Sequence, residues 1–330
     1  MITRAEPGAR PLIVVLGASG FIGSALLAAL APYPVVVRAV ARRPVAPPRD
    51  GVAVFEVVTA DLTDPGRLTA ALSGAHAVVH LLLDAEGWRG VGTDPGAGVT
   101  VGVMRQLVEV LPARCGGHGP PAVVFAGSVS QVGPPPWLPI DGSEPDRPAT
   151  AYDRQKQAAE DALKQASVAG LLHGVSVRLP TVFGPVVAAG TARDRGVVST
   201  MIRRALAGES LTMWHDGRIT RELLYVHDVA AALVAAVDHA DVLAGRHWPV
   251  GRGRGEPLGE VFHAIAALVA ERSGRSPVPV ICVPPPADAQ GTDFHSMAVD
   301  PAAFSSITGW RAAVPLREGL MRTVAALAGS

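Results

Sequence analysis

Tyr152 and Lys156 stand four positions apart in "AYDRQKQAAEDAL" (151–163). On a helix, side chains at i and i+4 lie over one another, about 6 Å apart along the axis. A phenol beside an ammonium can do acid–base chemistry. The phenol's ordinary pKa is near 10, and a neighbouring positive charge favours the phenolate and lowers that value. Alone, the pair describes a partly solvated helix face. Ser128 changes that reading. It ends the apolar run in "VVFAGSVSQVG" (123–133), at the strand edge where doubly wound sheets bind ligands. The three groups suit reduction of a ketone. Tyr152 can give a proton to the oxygen, Ser128 can orient and polarise that oxygen, and Lys156 can keep the phenol acidic while holding a nicotinamide ribose.

Such a set needs a rigid frame. Apolar runs at 11–17, 35–41, 52–58, 75–83 and 121–127 alternate with helical patterns, and "GVSVRLPTVFG" (174–184) supplies a sixth strand. Strands that are apolar at nearly every position, separated by helices, predict a parallel sheet covered on both faces. Beyond Pro185 the texture changes. Helix then strand is expected over 195–214, strand then helix over 221–240, a helix near 257–272, a strand at 278–285 and a last helix near 316–328. The fold class is therefore α/β: a Rossmann-type doubly wound sheet with a smaller C-terminal α/β substrate lobe. Residues 1–185 form the dinucleotide-binding part, completed by 222–245 and part of the C-terminus; 186–221 and 246–315 form the lobe.

"LGASGFIG" (16–23) sets Gly17, Gly20 and Gly23 between the first strand and the first helix. A tight turn and the approach of a pyrophosphate to helix N-terminal amides both favour residues without Cβ. An NAD site usually ends its second strand on a carboxylate. Here that strand runs into Arg42 and Arg43, whose planar donors suit a 2′-phosphate. One charged hydrogen bond of that kind is worth roughly 1.5–3 kcal/mol, or about 10- to 150-fold in cofactor preference. NADPH is expected over NADH. Asp61, in "TADLTD" after the third strand, either accepts from the adenine amino group or caps the following helix.

Composition narrows the partners. Lys+Arg and Asp+Glu balance at 29 each, which gives no general attraction to nucleic acid or anionic membranes. Two cysteines, Cys115 and Cys282, are too few for a disulfide framework and suggest inert thiols in a reducing compartment. With no apolar leader in "MITRAEPGARP" and no apolar run of membrane-spanning length, a cytoplasmic protein is the expectation. The ten histidines show no metal-ligand spacing, so no metal is expected. His80 and His227 read as satisfied core or edge groups. Trp88, Trp137 and Trp214 are either pocket borders or packing anchors.

"GASGFIG", the Ser128–Tyr152–Lys156 set, "RLPTVFGP" (178–185) and "RELLYVHDVA" (221–230) fall in one order along nearly the whole chain. In these the sequence resembles the extended short-chain dehydrogenases/reductases. With "MIRRALAGESLTMWHDG" (201–217) and "FSSITGWR" (304–311) it is similar to the NDP-4-keto-6-deoxyhexose 4-ketoreductases, which make TDP-deoxysugars of the mycarose type for antibiotic glycosylation. The resemblance implies that Ser19, Phe21 and Ile22 join the three glycines around the pyrophosphate. It implies that Asp61 and Leu62 hold the adenine, Leu81 and Leu82 pass behind the cofactor, and Pro180 and Thr181 approach nicotinamide or sugar. Arg221 would meet the diphosphate of the sugar nucleotide, and the strand 211–214 would lie beside its base. A homodimer would form through residues 95–112 and 150–168. Two positions depart from the family: Val132 replaces an aromatic residue, and Val99 stands near the place of an asparagine.

The implied activity is NADPH-dependent reduction of the C4 ketone of a TDP-4-keto-6-deoxyhexose. A dehydratase would need an Asp–Glu pair after the serine, where Val129 and Ser130 stand, and these cannot move the required protons. An NAD-dependent nucleotide-sugar 4-epimerase is the runner-up, and a non-catalytic dinucleotide sensor comes after it.

Overall fold

The computed structural model describes residues 10–84, 98–113, 119–186, 196–214, 216–286, 289 and 291–329. Trp88, Cys115, residues 95–97 and residues 1–9 lie outside the described residues. The first half runs β1 (Leu12–Leu16), α1 (Phe21–Leu30), β2 (Val36–Ala41), β3 (Val54–Thr59), α2 (Pro65–Leu72), β4 (Ala77–His80), α3 (Val99–Val110), β5 (Ala122–Ser128), α4 (Ala151–Val168) and β6 (His173–Leu179). Then come β7 (Thr181–Phe183), α5 (Val197–Leu206), β8 (Leu211–Met213), β9 (Thr220–Arg221), β10 (Leu223–Tyr225), α6 (Val226–Asp238), α7 (Ala240–Leu243) and β11 (Arg246–Pro249). The chain ends with β12 (Glu256–Pro257), α8 (Leu258–Ser273), β13 (Val280–Cys282), α9 (Ala302–Thr308) and α10 (Leu316–Ala328).

Seven strands form one sheet in the order β11-β6-β5-β4-β1-β2-β3, and every pairing in it is parallel. All residues of β4 and β5 are buried, because helices cover both faces and leave no wet side for polar alternation. One face packs against α1 and α6, with Leu26, Leu30, Leu233 and Trp248 in its core. The other packs against α2, α3 and α4 around Leu68, Met104, Phe125 and Leu163. The strand order reverses between β1 and β4, so the crevice at their carboxyl ends is the topological switch point where ligands bind. This is the Rossmann-type fold.

The lobe has its own apolar core, built by α5, α8 and α10 around Ile202, Phe262, Ile265 and Leu320. Three boundaries differ from the sequence reading. Helix α10, expected beyond the lobe's end at 315, helps to build its core. The run 174–184 is two strands, not one: Pro180 has no N–H to continue the ladder, and beyond it β7 leaves the sheet to pair with β10. Residues 246–249 belong to the main sheet as its edge strand beside β6, not to the lobe. Only four residues long and ended by proline, β11 carries no readable alternation. Phe304 and Trp310 also pack into the core of the main sheet, and the Trp310 indole donates to Asp228 O at 3.1 Å. Among the described residues, no helix is long and apolar enough to cross a membrane.

Candidate functional site

A cavity of about 1000 Å³ opens along the carboxyl ends of β1, β2, β4, β5 and β6, and α5, β8 and α8 close its far side. The glycine turn with Ser19, Phe21 and Ile22, the arginines Arg42 and Arg43, the pair Asp61 and Leu62, and Leu81 with Leu82 all line it. So do Ser128, Tyr152, Pro180, Thr181 and Arg221. The fold thus gathers every candidate residue into one space, except Lys156, which is buried beneath.

The turn leaves no room for side chains. Gly17 has φ +93°, and a Cβ there would meet the Leu81 carbonyl at 3.2 Å. A Cβ on Gly23 would lie 2.3 Å from Gly17 O and 2.9 Å from Ala18 Cα, both backbone atoms that cannot swing away. Helix α1 begins at Gly20 with no side-chain cap, so its first amides point toward the cavity with the positive end of the helix dipole. Those features fit a dinucleotide pyrophosphate. Gly23→Ala is expected to destabilise the protein by about 1–3 kcal/mol through overpacking and to abolish dinucleotide binding; thermal melts and a fluorescence titration with NADPH check this.

Asp61 does not cap α2. That role belongs to Asp64, whose Oδ1 accepts from Gly66 N at 2.8 Å and Arg67 N at 3.1 Å. Asp61 Oδ1 accepts from Thr63 N at 3.0 Å and from its hydroxyl at 2.8 Å, and these bonds hold its carboxyl below the usual range.

Helix α4 presents Tyr152 because a capping box starts it one residue earlier. Thr150 Oγ1 accepts from Asp153 N at 3.1 Å, and Asp153 Oδ2 accepts from Thr150 N at 3.0 Å. Lys156 then lies under the tyrosine, its Nζ donating to Ala126 O at 2.7 Å. The ammonium stands 4.7 Å from the centre of the Phe125 ring and 5.7 Å from that of Tyr152. Burial pushes Lys156 down to about 8, opposed by the charge of Asp84. Tyr152 departs from expectation. Burial pushes its phenol up to about 12, with the Asp153 charge adding to the rise and Ser128 working against it. In the protein alone desolvation is the largest influence on the phenol; a positively charged nicotinamide beside it would act in the opposite sense. Lys156 likewise engages a backbone carbonyl, rather than projecting into the cavity as ribose binding would require.

Ser128 is held from below. Its N–H donates to Gln131 Oε1 at 2.9 Å, and Gln131 Nε2 donates to Glu160 at 3.4 Å. Glu160 is the hub of a buried ion cluster. Arg178 gives it two hydrogen bonds, at 2.7 and 3.1 Å, and gives Asp146 two more, at 2.7 and 2.6 Å. Lys164 Nζ and Ser176 Oγ donate to Glu160 at 2.6 Å each. Burial alone would raise the Glu160 carboxyl, but hydrogen bonds from His247 and Arg178 hold it below the usual range.

Arg221 reaches the cavity wall with its guanidinium folded onto main chain. It donates to the carbonyls of Thr292 at 2.9 Å, Asp293 at 2.8 Å and His295. Of the tryptophans, Trp214 lines the cavity, whereas Trp137 is 51% exposed on a loop away from it. Val99 lines the cavity, and Val132 is buried in a small cluster with Val129, Ile140, Met297 and Val299.

His80 is not satisfied, against expectation. Among the described residues both ring nitrogens lack hydrogen-bond partners, the ring meets Phe125 edge-on at 5.4 Å, and burial pushes it down to about 3, helped by the Lys156 charge. It is a neutral imidazole packed as an aromatic. His227 is exposed and meets the Tyr225 ring at 5.1 Å. Among the described residues, no group of His, Cys, Asp or Glu is arranged to hold a metal. Sequence reasoning missed Asp84, Thr150 and Asp153, which line the same cavity. Adjacency to a strand end or to Tyr152 was the only signal for them.

A model of the NAD dependent epimerase/dehydratase family matches residues 13–251. The chain belongs to that family. Within it, the chain is 28% identical over 316 residues to the dTDP-6-deoxy-L-talose 4-dehydrogenase (NAD(P)(+)) of Kitasatospora kifunensis, covering 93% of each chain. It is 29% identical over 273 residues to the UDP-glucose 4-epimerase of Mycolicibacterium smegmatis, covering 82% of each. Among solved structures it is similar to MoeE5 in complex with UDP-glucose and NAD, with TM-score 0.77, 26% identity and coverage of 96% of this chain and 98% of that one. As a family member, the protein is an NAD(P)-dependent enzyme acting on nucleotide sugars.

Proposed function

We propose that the protein reduces the C4 ketone of a TDP-4-keto-6-deoxyhexose with NADPH, in deoxysugar biosynthesis of the kind that feeds antibiotic glycosylation. The carrying observation is a single cavity that joins a glycine turn, Arg42 and Arg43 at one end to Tyr152 and Ser128 at the other. The arginines favour a 2′-phosphate, with no carboxylate at the end of β2 to hold a ribose hydroxyl. NADPH bound at that end would supply the hydride. Tyr152 delivers the proton to the ketone oxygen, and Ser128 fixes that oxygen beside it. Lys156 raises the positive potential under the phenol. Arg221 meets the diphosphate, exchanging the carbonyls of 292–295 for phosphate oxygens, and β8 lies beside the base. Two copies pair through the 95–112 and 150–168 segments. The relative from Kitasatospora kifunensis, named for dehydrogenation at C4 of a dTDP-deoxysugar, supports the reading.

Epimerisation at C4 is the second reading, supported by the names of other relatives. The two are separated by following cofactor oxidation with TDP-4-keto-6-deoxyglucose. Stoichiometric oxidation, faster with NADPH and losing that preference about 10- to 150-fold in Arg42→Ala/Arg43→Ala, is the expected result. NAD retained through purification, with interconversion of sugar alcohols and no net oxidation, would replace the reductase by the epimerase.

A further inference from the structure

Lys156 is a cation with few hydrogen-bond acceptors for its burial. It is 5% exposed, and an ammonium carries three N–H donors. Among the described residues, the one hydrogen bond it makes goes to Ala126 O, at 2.7 Å. A buried charge short of partners is costly, so a further attraction is needed to hold it there. The Phe125 ring is placed to supply one. Nζ stands over that ring, 4.7 Å from its centre, inside the roughly 6 Å over which an aromatic face attracts a cation. Strand β5 brings both contacts from consecutive residues. Its Val123 and Phe125 pack on the face covered by α2, α3 and α4, while Val124 and Ala126 pack on the other. In register beside Phe125 on β4 is His80, whose ring crosses it at 84°. Burial keeps that imidazole neutral, so it packs beside the ring without repelling the ammonium.

We propose that Phe125 is a positioning residue: its ring face and the Ala126 carbonyl form a seat that holds the Lys156 ammonium beneath Tyr152. The proposal rests on the reading of Lys156 as the cation that serves the phenol. A ring face attracts the lysine only when it is charged. Phe125 therefore opposes the desolvation that pushes Lys156 down to about 8, and Asp84, after β4, acts in the same direction as the ring. The other charged groups nearby are engaged elsewhere. On α4, Asp153 acts on the phenol, and Glu160 pairs with Arg178 and Lys164. Arg178 of β6 is divided between Glu160 and Asp146, and Arg105 and Glu109 of α3 are exposed. A large aliphatic side chain at 125 could also fill this face of the core. Only an aromatic one could hold a cation over it.

The test reads the lysine itself. The chain has two lysines, Lys156 and Lys164, so full-length protein labelled with ¹³C-lysine gives two side-chain Cε resonances to follow against pH. Lys164→Arg assigns them, and Lys164 serves as the internal reference. Because there are seven phenylalanines, position 125 alone is replaced, by site-specific incorporation of 4-fluoro-, 3,5-difluoro- and pentafluorophenylalanine. Fluorine withdraws negative charge from the ring face and nearly preserves the shape of the side chain. The Lys156 transition is expected to fall stepwise with fluorine count, by about 0.4–1.5 pH units for the pentafluoro ring, the equivalent of one lost cation–π contact. Phe125→Leu should lower it by a similar amount. If the pentafluoro protein fails to fold, the mono- and difluoro steps decide. Folded fluorinated proteins with an unmoved Lys156 transition overturn the proposal. A shift in Phe125→Leu alone overturns it too, since that would report packing and not the charge on the ring face, and so does an equal shift of Lys164. No substrate enters the titration, so failure of the ketoreductase assay leaves it unchanged and the two readings fall separately.

Discussion

Tyr152→Phe is expected to lower ketone reduction by about 10²- to 10⁴-fold, the range that a positioned general acid supplies. NADPH affinity should stay within about twofold, because the phenol makes no contact that the glycine turn and arginines depend on. The phenyl ring keeps the packing of Tyr152 over Lys156, which stands 5.7 Å from its centre. Single-turnover rates with excess protein, set beside a fluorescence titration of the cofactor, separate the two quantities. Unchanged turnover would remove Tyr152 from the reaction. Loss of cofactor binding as well would make its role structural.

Arg178→Ala carries the largest expected effect on stability. Arg178 is fully buried, and its guanidinium is divided between Glu160 and Asp146. Burial alone would lower its pKa, but the hydrogen bonds it donates to both carboxylates raise it instead. Removing the cation leaves Glu160, 0% exposed at its side chain, facing a cavity with fewer donors. Breaking one partner of a buried pair costs about 3–5 kcal/mol, so the melting temperature should fall by at least about 6 °C. Arg178→Met with Glu160→Gln should recover part of the loss, since the fully buried charge is then gone and only the partly exposed Asp146 lacks its partner. Because Gln131 links Glu160 to the Ser128 amide, Arg178→Ala should also slow turnover in the molecules that remain folded. Equal stability of Arg178→Ala and the native protein would contradict this account.

Much of the site was legible in the sequence because its determinants are local. A glycine triplet between strand and helix, a tyrosine four residues before a lysine, and two arginines at a strand end each act at short range. The sheet that gathers them was legible through unbroken apolar runs, of which β5 is the plainest. What escaped depends on partners far along the chain. Arg178 binds carboxylates at 146 and 160, and Ser130 reaches Asp153 across 23 positions. Asp61 looked as good a cap as an adenine partner until the backbone showed that the oxygen of Asp64 meets the first amides. The rise of Tyr152 was hidden too. Spacing puts an ammonium nearby, but only the folded surroundings show that desolvation is the largest influence on the phenol.

Strand β11 bears on how the chain is made. β6 ends at Leu179, yet its neighbour β11 begins only at Arg246, after the first part of the lobe has been threaded between them. Trp248 and, later, Phe304 and Trp310 complete the same apolar face. At about 5–20 residues per second, synthesis of that intervening stretch takes several seconds. During that interval β6 is an apolar strand with an open edge, and α6 is still absent or only just emerging. The dinucleotide half, although first off the ribosome, therefore cannot finish folding before the lobe is made. Truncation after β6 would leave an aggregation-prone sheet rather than a small independent domain.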